Sequence, residues 1–424
     1  MTDVEEMRAP SGLRGKVDDL RVVLLGFTVT DRHMRALGTA VAVRSAQTRN
    51  FAWSLVAALQ SAGCEVALLS ALPVHTFPAH RVLFARGGRF RTGGVEGRLL
   101  AFVNLHVVKH LSRLLSCLWS GLPFVRAHRA DLVIVHGVHS AFLLFGRVVR
   151  RWLGLPLVVI LTDPPGVVLP TDGHVIRALR RLDSWLVARA LRRCDGVICL
   201  TEELGRRFAP SRQRLVLEGI LHPRLQDWRP VPVDQTDERV FTVAYAGALK
   251  EEYGVGRLVD AVIGLSDEFA LDIYGTGPLE AWVRRRADEC PRIRYHGGVA
   301  HQELPKLLQR ADVLVNPRPA DRDFVKYSFP SKLIEYMGVG RPVLTTRLPG
   351  IPSEYSDKLL FAEDDSVEGL ARALRAAAES PLEWRHEMAT AARQFVVEER
   401  NVHAQGARIR AFCEQVVQSA GNRR

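Results

Sequence analysis

Short apolar runs, each closed by a glycine or a polar residue, constrain this chain most, because they recur at helix-length intervals and do so in two separate series. Leu20 to Gly26 reads LRVVLLG, Asn50 to Ala62 has the length and apolar content of a helix, and Glu65 to Leu69 is a second run. Strands covered on both faces are apolar throughout rather than alternating, so this order predicts a βαβ unit in a parallel sheet. Leu132 to Val135, Leu157 to Ile160 and Gly196 to Cys199 continue the first series. A second series opens at Phe241 to Ala246 and runs through Leu271 to Tyr274, Ile293 to Tyr295 and Val313 to Val315. Between them, His222 to Val240 is proline-rich, polar and without periodicity, the composition of a linker. The pattern predicts an α/β chain with two doubly wound, Rossmann-like domains, and 424 residues are enough for both. The expected divisions are a disordered lead-in over 1–18, a first domain over 19–225, a linker over 226–239, a second domain over 240–385 and helices over 386–424. Within the last part, Val367 to Glu379 and Pro381 to Ser419 read as helices.

Charge is uneven. The chain carries 58 Lys and Arg against 46 Asp and Glu, a formal net charge of +12. Between Leu99 and Arg150 the only acid is Asp131, set against Lys109, Arg113, Arg126, Arg129, Arg147 and Arg150. An amphipathic helix is expected from Leu99 to about Leu118, after a mobile, glycine- and arginine-rich passage (FPAHRVLFARGGRFRTGGVEGRLL). Two readings of that helix stand side by side: a basic face resting on an anionic membrane surface, or a core-packed helix with a solvated polar side. Nucleic acid is not expected as a partner, because the basic residues are not interleaved with an aromatic platform. No stretch of about twenty apolar residues suggests a spanning helix, and the N-terminal residues lack the apolar core of a secretory signal. The six cysteines occur singly without a CxxC pair, which predicts buried free thiols in a reducing, cytoplasmic setting. No metal site is expected, since His136 and His139 have no third ligand nearby.

The densest chemistry lies in Ser328 to Tyr355, SFPSKLIEYMGVGRPVLTTRLPGIPSEY. Pro330 suits a first helical turn, and Ser331 is expected to cap the free N–H groups there. Lys332 adds a full charge at the end of the helix that already favours anions, while Glu335 follows one turn later. Gly338 and Gly340 end the helix, Pro342 blocks its continuation, and Val343 to Thr346 reads as a buried strand. Gly247, Gly275 and Gly277 follow predicted strands directly, where a missing side chain lets backbone approach a phosphate or serves only the turn. In the first series, His136 and Asp163 end strands at the edge where open α/β sheets bind ligands. Asp163 suits sugar hydroxyls, or equally the capping of its own turn.

Four segments of the second half stand in the order shown by the retaining glycosyltransferases of family 4, which they resemble. They are YAGALKEEYGVGRLVDA (Tyr245 to Ala261), LDIYGTGPLEAWV (Leu271 to Val283), IRYHGGVAHQELPKLLQRADVLVNP (Ile293 to Pro317) and the stretch just described. The resemblance covers most of 241–360, matches 131–220 more loosely, and includes a branch with a FPSKL motif linked to envelope polysaccharides. It implies the GT-B fold, two Rossmann-like domains facing a cleft, with acceptor on the first, donor on the second, and the last helix crossing back to the first. It implies a nucleotide-diphosphate sugar as donor, no cofactor beyond it, and a lipid-linked or glycan acceptor. Activity would be metal-independent, on the inner face of the membrane or in the cytoplasm.

Carried over by position, Glu335 matches the acid that binds ribose hydroxyls, and His296 to Val299, with Gly298 and Val299 at its end, matches the backbone that holds the base. Three positions depart from the pattern. Ala248 and Tyr253 stand where the family commonly has an arginine and a lysine on the diphosphate, and Tyr327 replaces the first glutamate of a pair. Lys332, with the Ser331 and Lys332 N–H groups, is therefore the expected diphosphate clamp, assisted by Lys250 or Lys326. His136 is the further catalytic candidate. Two other functions stay open: a GT-B nucleotide-sugar epimerase, and a non-catalytic partner that binds nucleotide sugar within an assembly complex.

Overall fold

The computed structural model describes residues 19–38, 46–165, 174–210, 212–230, 240–322 and 325–422. The expected lead-in over 1–18 and the linker residues 231–239 lie outside them. The chain divides into two compact units, residues 1–220 with 402–424, and residues 221–401.

In the first unit the strands are β1 (Arg21–Gly26), β2 (Glu65–Ser70), β3 (Phe84–Ala85), β4 (Gly88–Thr92), β5 (Val95–Leu99), β6 (Phe102–Val103), β7 (Leu132–His136), β8 (Leu157–Leu161), β9 (Gly196–Cys199) and β10 (Gln213–Val216). Eight form one sheet in the order β10-β9-β8-β7-β1-β2-β5-β4. All pairs are parallel except β4 with β5. β1 lies between β2 and β7, so the direction of winding reverses beside it, and ligands of such sheets bind beyond the strand ends at that reversal.

The passage expected to be a mobile loop is instead the β4–β5 hairpin and the small β3–β6 pair. Gly93 and Gly94 both have positive φ, 56° and 77°, which a two-residue hairpin turn requires and which residues with a Cβ adopt poorly. β5 then extends the parallel sheet beside β2, with Gly97 lying under the Phe90 ring. The expected helix from Leu99 accordingly starts later, at His106.

The helices used below are α1 (Ala46–Ser61), α2 (His106–Ser116), α3 (Ser140–Trp152), α4 (His174–Leu191), α5 (Val255–Ile263), α6 (Lys332–Val339), α7 (Leu382–Glu399) and α8 (Val402–Gly421). α8 packs along α1, where a Cβ on Gly406 would strike the Ala58 carbonyl. Val402, Ile409, Phe412, Cys413 and Val416 join Leu55, Leu59 and the strand residues in one apolar core. The single helix expected over Pro381 to Ser419 is broken at Arg400. Its guanidinium turns to Glu354 and to the Tyr355 and Phe395 rings, while its carbonyl accepts from Leu221 N–H at 2.6 Å.

The second unit is a six-stranded parallel sheet: β11 (Phe241–Ala246), β12 (Phe269–Tyr274), β13 (Ile293–Gly297), β14 (Val313–Asn316), β15 (Val343–Thr346) and β16 (Leu360–Ala362), in the order β13-β12-β11-β14-β15-β16. Its reversal lies between β11 and β14. Val243, Tyr245, Leu271, Ile273, Val313, Val315 and Leu344 share a core with Leu258 and Val262 of α5. The six cysteines are unpaired, and five of them are buried.

Candidate functional site

Three chain segments meet where β11 and β14 diverge. Gly247 follows β11, Arg318 follows β14, and Lys332 opens α6. Tyr336, one turn further along α6, fixes this arrangement: its buried hydroxyl accepts from Ala246 N–H at 2.8 Å and donates to Ala246 C=O at 3.0 Å. The helix start is thereby tied to the end of β11. The Lys332 ammonium then occupies the space that a side chain on Gly247 would need, 4.7 Å from the centroid of the Tyr245 ring. Burial lowers the Lys332 pKa to about 8, Glu335 opposes that shift and Arg318 adds to it. Glu335 is half-buried on the same helix.

Arg318 is a cation that the motifs do not single out. Its guanidinium lies 5.1 Å over the Tyr253 ring, and burial holds it below the ordinary arginine value. Tyr253, which stands where the resemblance leads one to expect a lysine, thus carries an arginine delivered by another strand. The only available signal was its position, two residues past a buried strand in VNPRP. Lys250 is instead turned to Glu252, at 3.2 Å, and Lys326 lies over its neighbour Tyr327.

Ser331 does not act as expected. It already has helical φ and ψ (−52°, −22°), and its side chain makes no capping hydrogen bond, because the cap geometry needs extended backbone at that residue. Its N–H and that of Lys332 still lie at the first turn.

Gly275 and Gly277 serve a loop packed against the loop after β11. At Gly275, with φ +138°, a Cβ would meet the Gly247 carbonyl; at Gly277 it would lie 2.5 Å from the Leu249 carbonyl oxygen. Leu249 N–H donates to Thr276 C=O at 3.0 Å, and Leu279 N–H to Leu249 C=O at 3.0 Å. Close backbone approach within the protein's own chain thus requires glycine at both positions. At the end of β13, His296 stacks on Tyr274 at 4.6 Å and reaches Asp272 at 2.6 Å, which leaves Gly298 exposed and Val299 half-buried beyond it.

In the first unit, His136 ends β7 beside Gly26 and 5.5 Å from the Phe51 ring. It is only 5% exposed, and burial lowers its pKa to about 4. Burial thus keeps this imidazole neutral at pH 7, at the strand end where the sequence leads one to expect a catalytic or acceptor-side role for His136. Asp163 is exposed past β8 and accepts from the Thr162 hydroxyl at 2.8 Å. Lys109 and Arg113, expected on an outward side of α2 that faces either a membrane surface or solvent, are buried. Among the described residues no cluster of His, Cys, Asp or Glu could hold a metal ion, and no helix is long and apolar enough to cross a membrane.

Residues 240–380 match the family described as glycosyl transferases group 1, and residues 48–215 the glycosyl transferase 4-like domain. Sucrose-phosphate synthase from Thermosynechococcus elongatus superposes with a TM-score of 0.66 at 16% identity, over 94% of this chain and 100% of that one. Anabaena Alr3699/HepE, in complex with UDP-glucose, gives 0.54 at 13% identity, over 95% and 100%. A human relative, a phosphatidylinositol N-acetylglucosaminyltransferase component, is 25% identical over 182 residues, 39% of this chain; the chain thus spans 36% of that relative's length. Fold and matches together place the chain among the GT-B glycosyltransferases, with two Rossmann-like domains. Within that class its group is the family 4-like one, the 4-like domain coming first and the group 1 domain second.

Proposed function

We propose that the chain moves a glycosyl group from a nucleotide-diphosphate sugar to a lipid-linked or glycan acceptor with retention, in the synthesis of envelope polysaccharide or glycolipid. The observation that carries this reading is the Lys332 ammonium seated over Gly247 at the winding reversal, with Arg318 close enough to perturb it. In the reaction, the bond between the anomeric carbon and the β-phosphate oxygen breaks, and the acceptor oxygen bonds to that carbon on the same face. The acceptor proton passes to the departing phosphate oxygen, so no protein base is required. The chain's task is to neutralise the leaving diphosphate, which charge-assisted contacts from Lys332 and Arg318 provide together with the first N–H groups of α6. Glu335 accepts from the ribose hydroxyls, and the backbone at Gly298 and Val299 borders the base. Asp163 is open to acceptor hydroxyls.

Such a reaction needs no metal, and chelation is expected to leave turnover intact. A lipid-linked acceptor would bring the protein to the inner face of the cell membrane, and a glycan acceptor would leave it in the cytoplasm. Incubation with radiolabelled nucleotide sugars and a lipid extract tests the reading: label in the lipid or glycan fraction is expected. Epimerised nucleotide sugar, or binding without any product, would replace it with one of the two other readings.

A further inference from the structure

Helix α2 is built inside out. Its cations point inward: Lys109 donates to Val74 C=O at 2.6 Å, and Arg113 donates to Leu72 C=O at 3.2 Å with its guanidinium 4.2 Å over the Phe102 ring. Both carbonyls belong to the segment that follows β2, so the charges are consumed in holding that segment. The opposite side of the helix, Val108, Leu111 and Leu115, faces outward, and the stripe continues onto Trp119, which is 89% exposed. Spacings of three and four residues put these side chains on one face. Single exposed apolar residues are ordinary, but a stripe of four ending in a tryptophan marks a contact surface.

Beside the stripe lies a second feature, independent of the first. A groove of about 530 Å³ runs between this segment and α3, floored by Leu114, Leu118, Leu144 and Val148 and bordered by Trp152 and the arginines 147, 150, 151 and 193. No acid lines it. Arg150 is held by Asp195 at 2.7 Å, whereas Arg147, Arg151 and Arg193 pair with no carboxylate among the described residues. An apolar floor under an acid-free cationic rim fits an amphiphile whose head is anionic.

We propose that this face of the first unit docks on a bilayer of anionic phospholipid, with Val108, Leu111, Leu115 and Trp119 inserted among the acyl chains and one lipid phosphate held at the arginine rim. Charge complementarity selects this occupant. A second copy meeting the same face would set its own arginines against these, and a purely electrostatic contact would leave the apolar stripe in water. The inference deepens the proposal of a lipid-linked acceptor, and it reverses the orientation first expected of α2: the helix inserts by its apolar side.

The full chain is floated with vesicles of phosphatidylcholine alone and of phosphatidylcholine with phosphatidylglycerol, at low and high salt. Wild type is expected to bind the anionic vesicles preferentially and to stay partly bound in high salt. The Leu111→Ser/Trp119→Ser double variant, altered only at exposed positions, is expected to lose at least tenfold in binding and to be released by salt. Arg147→Ser/Arg151→Ser is expected to lose the preference for phosphatidylglycerol. Unfolding curves check that both variants fold. Wild type failing to float, or the apolar variant floating like wild type, overturns the proposal; so does a wild-type dimer in light scattering that the apolar variant lacks. Nucleotide binding and transfer to a water-soluble acceptor analogue are read without vesicles, so failure of membrane docking and failure of the glycosyltransferase reading are distinguished.

Discussion

Replacing Lys332 by methionine should move stability and nucleotide affinity in opposite directions. The fall of the lysine pKa from 10.5 to about 8 means that the folded chain resists protonation relative to the unfolded one. At 1.36 kcal/mol per unit, the full cost of keeping the ammonium in place is roughly 3 kcal/mol. Because the side chain retains some exposure, a gain of about 1–2 kcal/mol is the realistic expectation for Lys332→Met. The pH window follows from the direction of the shift. The cost is fully present below about 8, shrinks as pH rises from there, and vanishes above 10.5, where both states are neutral. Urea unfolding should therefore show the variant more stable than wild type at pH 7 and equal to it near the top of that window. In calorimetric titration with UDP, the loss of a charged hydrogen-bond donor worth about 1.5–3 kcal/mol should weaken binding roughly 10- to 150-fold. Wild-type affinity should also decline as pH passes about 8, while the variant's stays flat. Unchanged UDP affinity in Lys332→Met would refute the assignment of the clamp, whatever happened to stability.

Gly247→Ala should reproduce much of that affinity loss with Lys332 intact, since the new methyl occupies the ammonium's place; UDP titration reads it. Tyr336→Phe leaves the buried N–H and C=O of Ala246 without their partner and should cost about 1–3 kcal/mol in urea unfolding, with weaker donor binding as the start of α6 loosens. Glu335→Gln should abolish the preference for UDP over its 2′,3′-dideoxy analogue while leaving affinity for inorganic pyrophosphate unchanged, measured by competition.

The two sheets were legible because β1, β7, β8, β11 and β14 are buried on both faces, and burial writes itself into sequence as uninterrupted apolar runs. The β4–β5 hairpin was not, although RFRTGGVEGRL carries a Gly-Gly turn between alternating residues, because its arginines and glycines imitate a loop. The break between α7 and α8 depends on Arg400 reaching Glu354 and Tyr355, a contact made across 45 residues or more that local periodicity does not encode. For the site, Lys332 and Glu335 could be found since both lie on one short helix. Arg318 could not, because it reaches the site from a different strand through the Tyr253 ring. The orientation of α2 inverted for a comparable reason. The carbonyls that hold Lys109 and Arg113 belong to a segment more than thirty residues earlier, and amphipathicity alone gives a helix two faces without saying which is buried.

The most direct measurement is a crystal structure with UDP soaked in. The account predicts a β-phosphate oxygen at about 2.7–2.9 Å from the Lys332 ammonium, the usual length of a charge-assisted hydrogen bond. It further predicts Arg318 on the same diphosphate and the ribose hydroxyls on Glu335. A diphosphate bound elsewhere on the second unit, with Lys332 still folded over Gly247 and touching no phosphate, would contradict it.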